Sequence, residues 1–453
     1  MESTLAKAAN SMHGELKGTD LKFRGVSTDT RTLREGELFF ALQGPNFDGA
    51  AFVEAAVARH ASGVVVPEAL DADIPVIVVD DTLMALAELA AAWRQQMTAT
   101  VIGITGSNGK TTLKEMIASC LALSAETLPT QGNLNNEIGV PLMLARLGRE
   151  HRYAVIEMGA NHAGEIARLT ALVQPKIVAI TNAAPAHLEG FGSLEGVAYA
   201  KGEILTSEVP PEVVVLNADD EFYPYWCSLV PDIDVISFGL APQANFRASD
   251  VYATEYGSAF TLHMPEAELQ IALPLFGAHN VMHACAAAAI ASSLNIDEEQ
   301  IKKGLETVQP VAGRLQPVQT TSGDTLYDDS YNANPVSVVA AAKFLAAQPG
   351  DSWLVLGDMA ELGDDAEELH ASVGRDLKNA GIKHLAATGE LCRHTVEAFG
   401  DGGSWFGSRD ELIASLQKSL DGNCNVLVKG SRSMGMERVV NALRNGTEKA
   451  RGK

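Results

Sequence analysis

The stretch Gly103-Ile104-Thr105-Gly106-Ser107-Asn108-Gly109-Lys110-Thr111-Thr112 constrains the fold of this chain more than any other. Before it runs Ala99-Thr100-Val101-Ile102, a short β-branched and apolar segment. After it comes Leu113-Lys114-Glu115-Met116-Ile117-Ala118-Ser119-Cys120-Leu121, with apolar residues at helical spacing. Strand, glycine turn, Lys-Thr and helix form the context of a phosphate-binding loop. The glycines let backbone N–H groups turn inward on phosphates, and the helix N-terminus adds its positive dipole end. Lys110 is placed to neutralise the outer phosphates, and Thr111 has a hydroxyl for Mg²⁺. The turn reads T-G-S-N-G-K-T-T and departs from the common G-x-x-x-x-G-K-[ST] spacing, because Ile104 stands five before Gly109.

A phosphate-binding loop needs a parallel sheet, and the rest of the chain supplies one. At 453 residues the chain exceeds one ordinary core, and its length suggests roughly three domains. Residues 1–97 alternate short strands (Glu37–Leu42, Gly63–Val66, Val76–Val79) with helical segments such as Leu83–Met97, the pattern of a small α/β domain. Residues 98–312 hold the glycine turn and then the apolar runs Tyr153–Met158, Ile177–Thr181 and Val213–Leu216, as a parallel sheet requires. Alternation between Val251 and Leu275 predicts an antiparallel insertion or edge, followed by an alanine-rich helix over Asn280–Ser293. Residues 313–453 interleave Leu326–Asp328, Trp353–Leu356, His384–Ala387 and Asn425–Val428 with helices, a doubly wound unit. In Ala366–Ala380, Leu369, Val373 and Leu377 form an amphipathic stripe. The tail Asn445–Lys453 is polar and is expected to fray.

Composition narrows the class of partner. The chain is 46% apolar and 20% charged, as in a soluble globular protein, and its net charge of −23 argues against nucleic acid or an anionic membrane as main partner. The five cysteines are scattered without a C-x-x-C pair, which suggests a reducing compartment and neither zinc nor a disulfide frame. No signal-like opening and no run of about 18 apolar residues occurs. A cytoplasmic protein without stable membrane insertion is expected.

Several other segments carry polar groups with chemical potential. Glu157 ends the apolar run Tyr153-Ala154-Val155-Ile156, the position of a metal-binding carboxylate beside a phosphate loop. His187 lies in a loop just past Ile177–Thr181, where open α/β sheets place ligands, and is equally readable as a metal ligand or an ordinary loop histidine. Lys201, in A-K-G-E-I, reads by itself as an exposed helical lysine. The amide cluster Asn133, Asn135, Asn136 suits a turn or a peptide-like ligand. Asp328-Asp329-Ser330-Tyr331-Asn332-Ala333-Asn334-Pro335 is an N-cap with a turn, or a nucleoside contact. Lys429-Gly430-Ser431-Arg432 brings two cations to a strand end, suited to an anionic substrate.

Together these segments resemble the Mur ligase family, and the likeness runs through nearly the whole chain. It rests on the order and spacing of S-T-D-T-R, T-G-S-N-G-K-T-T, G-N-L-N-N-E-I-G-V-P, I-E-M-G-A-N-H-A-G-E-I, A-H-L-E-G-F-G-S, A-K-G-E-I, G-A-H-N, G-R-L, D-D-S-Y-N-A-N-P, L-G-D-M-A-E-L-G and K-G-S-R-S. The resemblance implies a three-domain α/β architecture: a small N-terminal domain, a central P-loop ATPase domain and a C-terminal Rossmann-like domain. It implies an ATP-dependent peptide ligase of peptidoglycan precursor synthesis that joins UDP-N-acetylmuramoyl-tripeptide to D-alanyl-D-alanine through an acyl phosphate, working as a monomer. Ser27, Asp29 and Arg31 match the motif for the UDP part. Gly106, Ser107, Asn108, Gly109, Lys110, Thr111 and Thr112 would hold ATP, with Asn280, Arg314, Asp329 and Tyr331 around the nucleotide. Thr111 and Glu157 would bind one Mg²⁺, and His187 and Lys201 would lie at a second. The lysine matching Lys201 is carbamylated in related ligases. Asn135, Asn136, Asn161 and His162 match the face toward the muramoyl peptide, and Lys429, Ser431 and Arg432 the region of the incoming dipeptide. Two positions depart from the family pattern: His283 replaces the second Asn of H-N-x-x-N, and Asp48-Gly49-Ala50 lacks the usual histidine.

A carboxylate does not react with an amine at useful rates, because its leaving group would be oxide. Phosphoryl transfer from ATP makes an acyl phosphate that the amine attacks, and catalysis is mainly positioning and electrostatics. His187 and His162 are the candidates for the base that deprotonates the amine. The rival readings are a meso-diaminopimelate- or lysine-adding ligase of the same fold, folylpolyglutamate synthase, a GTPase switch and a non-catalytic scaffold. The chain lacks the D-N-P-R string of the diaminopimelate enzymes and the N-K-x-D guanine motif.

Overall fold

The computed structural model describes residues 1–44, 47–321 and 323–445. The polar tail past Asn445 lies outside them. Three principal sheets organise these residues.

The central sheet has nine strands in the order Thr127–Pro129, Tyr153–Glu157, Thr100–Thr105, Ile177–Ile180, Val213–Asn217, Val235–Gly239, Phe246–Thr254, Gly257–His263 and Glu268–Leu273. The first seven pair in parallel, and the last two add antiparallel neighbours. The predicted antiparallel region thus extends the sheet at its edge, and it begins earlier, at Phe246. Each central strand sends alternate residues to opposite faces. Tyr153 and Val155 join a core under the helices Lys110–Ala122 and Ala278–Ser293, while Ala154 and Ile156 join a core under Gly139–Ala145 and Glu165–Val173. Burial on both faces is why these strands read as continuous apolar runs. The alanine-rich helix starts at Ala278, two residues before the expected position.

The N-terminal sheet runs Glu15–Lys17, Val76–Val78, Gly63–Val66, Leu38–Phe40, Val26–Ser27, parallel except at its first pair. Its helix Thr82–Arg94 is capped by the Asp81 carboxylate, which accepts from Leu83 N at 2.7 Å and Met84 N at 3.0 Å. Ala85, Leu86 and Leu89 pack into the N-terminal core, whereas Ala90 enters the central one. The Arg94 guanidinium then donates to Val173 O at 3.0 Å and Met97 O at 3.1 Å, fixing the helix end to the central unit. The helix stops at Arg94, three residues short of the expected Met97.

The C-terminal sheet has the order Gln316–Gln319, Thr325–Asp329, Cys424–Lys429, Asp351–Gly357, His384–Thr388, Gly403–Phe406, antiparallel only at its first pair. Strands Thr325–Asp329 and Cys424–Lys429 end side by side, with Asp329 in register with Lys429. That register aims two of the expected site residues at the same edge, toward the glycine turn. Helix Ala366–Asn379 buries Val373 and Leu377 as predicted and adds His370 to the same face.

Candidate active site

The glycine turn leaves its strand at Thr105 and enters helix Lys110–Ala122 through Gly109, which is left-handed at φ 80°. A Cβ at Gly109 would come within 2.0 Å of the His283 ring, and one at Gly106 (φ 141°) within 1.9 Å of Thr181 Oγ1. Both glycines are therefore needed for backbone shape and for close approach. The turn is braced from the next strand end: Thr181 Oγ1 donates to Asn108 O at 2.6 Å, and Asn108 N donates to Asn182 Oδ1 at 3.1 Å. Lys110 Nζ folds back on the turn and donates to Gly106 O at 2.6 Å. Burial lowers its pKa, an effect that Glu157 opposes.

Glu157, 3% exposed, ends its strand one place over from the turn. Its carboxylate accepts from Thr111 Oγ1 at 2.9 Å and from Asn135 Nδ2 at 2.7 Å, while its backbone N donates to Thr130 Oγ1 at 2.9 Å. Asn135, expected to face the peptide, thus also holds Glu157 in place. Asn136 turns the chain into the following helix, its Oδ1 accepting from Gly139 N at 2.9 Å.

These groups line a cleft of about 270 Å³ between the central and C-terminal units. The turn residues Ser107 to Thr111, Asn135, Asn136, Glu157, Asn161 and His187 form one wall, and Arg314, Tyr331 and Lys429 the other. The Arg314 guanidinium stacks on the Tyr331 ring at 4.2 Å. Lys429, almost fully buried, pairs with Asp329 at 2.6 Å and donates to Asn332 O at 3.0 Å.

Lys201 lies outside the lining yet acts electrostatically on His187, as Lys110 acts on both. It is 2% exposed, and not the surface lysine its local sequence suggests. Its ammonium faces the Phe191 ring at 5.0 Å, and among the described residues no carboxylate pairs with it. Burial, reinforced by the charge of Lys110, lowers its pKa to about 7. His187 is left-handed at φ 55°. Its Nδ1 abuts the Glu361 carboxylate of the C-terminal unit, and burial lowers its pKa.

Other predicted residues fall elsewhere. Asn280 is buried with its amide donating to Phe276 O at 2.7 Å and is not part of the lining. Ser431 is buried, accepting from Ala360 N at 2.7 Å. Arg432 is exposed beside Glu437. His162 is exposed and pairs with Glu165 at 3.1 Å. Ser27, Asp29 and Arg31 stand on the N-terminal unit, outside the cleft lining. There Arg31 grips the Asp29 carboxylate and holds its pKa down to about 2.

Sequence reasoning missed Glu165, Asn334 and Glu361. Asn334 and Glu165 line the cleft, and Glu361 meets it through His187. Asn334 precedes Pro335 and reads as a helix cap, which it also is. Glu361 stood inside a quoted motif, L-G-D-M-A-E-L-G, without a distinguishing spacing.

A phosphate loop on a parallel central sheet, facing a second α/β unit across a polar cleft, defines a nucleotide-dependent α/β enzyme. Three family descriptions match in chain order: "Mur ligase family, catalytic domain" over 22–94, "Mur ligase middle domain" over 104–291, and "Mur ligase, glutamate ligase domain" over 313–432. The chain belongs to the Mur ligase family. It is 44% identical over 448 residues to the UDP-N-acetylmuramoyl-tripeptide–D-alanyl-D-alanine ligase of Escherichia coli K12, covering 98% of this chain and 99% of that one. Among solved structures, MurF from Acinetobacter baumannii matches with TM-score 0.92 at 36% identity over 98% of this chain and 99% of that one. MurF from Thermotoga maritima, in complex with ADP, matches with TM-score 0.82 at 25% identity over 93% and 97%.

Proposed function

We propose that this cleft activates a carboxylate with ATP, using Lys110, Glu157, His187 and Lys201 as its catalytic and metal-binding groups. The chain is an ATP-dependent ligase that adds D-alanyl-D-alanine to UDP-N-acetylmuramoyl-tripeptide, giving the pentapeptide, ADP and phosphate in peptidoglycan precursor synthesis. The observation that carries the site assignment is the Thr111–Glu157 contact of 2.9 Å at the foot of the phosphate loop.

Two oxygen donors side by side suit Mg²⁺, a hard cation. Thr111 and Glu157 would hold one ion, which spreads the negative charge of the triphosphate. His187 and Lys201 would hold a second only after Lys201 is carbamylated, because an ammonium repels a cation. A lysine with a pKa near 7 has a substantial neutral fraction at neutral pH, and the neutral amine is the form that adds to CO₂. Lys110 balances the charge of carboxylate and phosphate as they approach.

In this reading residues 1–97 bind the UDP part through Ser27, Asp29 and Arg31, 98–312 bind ATP, and 313–453 close over it. Arg314, Asp329 and Tyr331 approach the nucleotide, with Asn280 supporting the helix behind it. Asn135, Asn136, Asn161 and His162 meet the muramoyl peptide, and Lys429, Ser431 and Arg432 border the dipeptide. The enzyme acts as a cytoplasmic monomer. Closure excludes water that would hydrolyse the acyl phosphate.

Substrate labelled with ¹⁸O in its terminal carboxylate tests the chemistry. An acyl phosphate route delivers one labelled oxygen per turnover into the released phosphate. Phosphate free of label contradicts it.

A further inference from the structure

Two side-chain contacts join the central and C-terminal units at the cleft. At the phosphate loop, Asn334 Nδ2 donates to Asn108 Oδ1 at 2.7 Å. At the His187 loop, the Glu361 carboxylate meets His187 Nδ1, and Glu189 N donates to Glu361 O at 3.4 Å. Each C-terminal partner is rigidly held. Asn334 caps helix Pro335–Ala346 with a capping box: its Oδ1 accepts from Ser337 N at 2.9 Å and its N donates to Ser337 Oγ at 3.0 Å. Its Nδ2 is left for the phosphate loop. The segment carrying Glu361 is fixed from behind, since Met359 N donates to His370 Nε2 at 3.0 Å and Ala360 N to Ser431 Oγ at 2.7 Å. Glu361 itself is left-handed at φ 62°, and so is its partner His187. Non-glycine residues hold that conformation only where the surroundings impose it.

We propose that Asn334 and Glu361 are positioning residues that clamp the C-terminal unit onto the ATP cleft, one at the phosphate loop and one at the His187 loop. The clamp rests on the ligase reading above. Asn334 holds the Asn108 side chain, and with it the turn that cradles the phosphates. Glu361 sets its carboxylate against His187 Nδ1, which orients the ring and leaves Nε2 for the ligand role. The two contacts form together only when the units are closed, so closure and site geometry become one event.

Substitution separates the clamp from folding. Asn334→Asp keeps a good N-cap but loses the Nδ2 donor and sets a carboxylate against Asn108 Oδ1. Glu361→Ala removes the second contact, and Glu361→Gln keeps an acceptor oxygen. The full-length variants are followed by small-angle X-ray scattering with β,γ-imido-ATP, Mg²⁺ and UDP-muramoyl tripeptide, and by D-Ala-D-Ala-stimulated phosphate release. Asn334→Asp and Glu361→Ala should lose the ligand-induced contraction and about 10²-fold in kcat, with the thermal midpoint unchanged. Glu361→Gln should restore contraction and most of the rate. Wild-type contraction in both variants overturns the clamp, whether or not kcat falls. If Asn334→Asp misfolds, the Glu361 pair decides by the same readouts. Failure of the wild type to release phosphate with the dipeptide would sink the ligase reading, whereas the clamp is judged by contraction.

Discussion

Lys110 and Lys201 share one small region yet are buried in different settings. Lys110 folds onto the carbonyls of its own turn, ready to be pulled toward phosphate. Lys110→Ala should lower phosphate release by about 10²–10³-fold, in the range for removing a preorganised charge partner. Lys201 has no such partner, and its burial makes the ammonium costly. Its pKa falls from 10.5 to about 7, so below pH 7 both folded and unfolded chains carry the proton and the full penalty applies. Between pH 7 and 10.5 the unfolded chain binds more protons, so stability rises with pH and the penalty fades. The shift corresponds to ~5 kcal/mol at most. In bicarbonate-free buffer, Lys201→Met should therefore raise the urea midpoint most at pH 6 and least near pH 10. An equal gain at both pH values would contradict burial of an unmodified ammonium.

At the scale of elements, the strand–turn–helix around Gly109 was legible because its chemistry is local: glycines, Lys-Thr and flanking apolar periodicity fall within one short stretch. Strand ends such as Glu157 were legible for the same reason. What escaped was burial and pairing set by distant segments. Lys201 looks like a surface lysine in A-K-G-E-I, and only the packing of its helix against Phe191 and Trp226 hides it. Asn334 reads as a cap, and its second bond to Asn108 crosses 226 positions. The alternation between Val251 and Leu275 was read as an antiparallel insertion or edge, but its earlier start at Phe246 and its place in the central sheet needed the register. The same cross-chain packing makes the turn fragile. Gly109→Ala forces a Cβ into the His283 ring at a left-handed position, which should cost about 1–3 kcal/mol by thermal unfolding and weaken ATP binding.

Across the whole molecule, three sheets supply three surfaces, and the cleft lies where two of them meet. The Asp29–Arg31 pair stands on the N-terminal sheet's unit, outside the cleft lining. Helix Thr82–Arg94, shared by the N-terminal and central cores, joins that unit to the central one. Arg31→Ala should therefore raise KM for the UDP-linked substrate with little change in kcat, since it removes binding far from the reacting atoms. A matching loss of kcat would place Arg31 nearer the chemistry than this arrangement allows. The three units together join a muramoyl tripeptide to a dipeptide. Phosphate release from ATP in the presence of UDP-muramoyl tripeptide, with D-Ala-D-Ala, meso-diaminopimelate or glutamate added in turn, tests it most directly. Stimulation by D-Ala-D-Ala alone is the predicted result, and stimulation only by diaminopimelate or glutamate would contradict it.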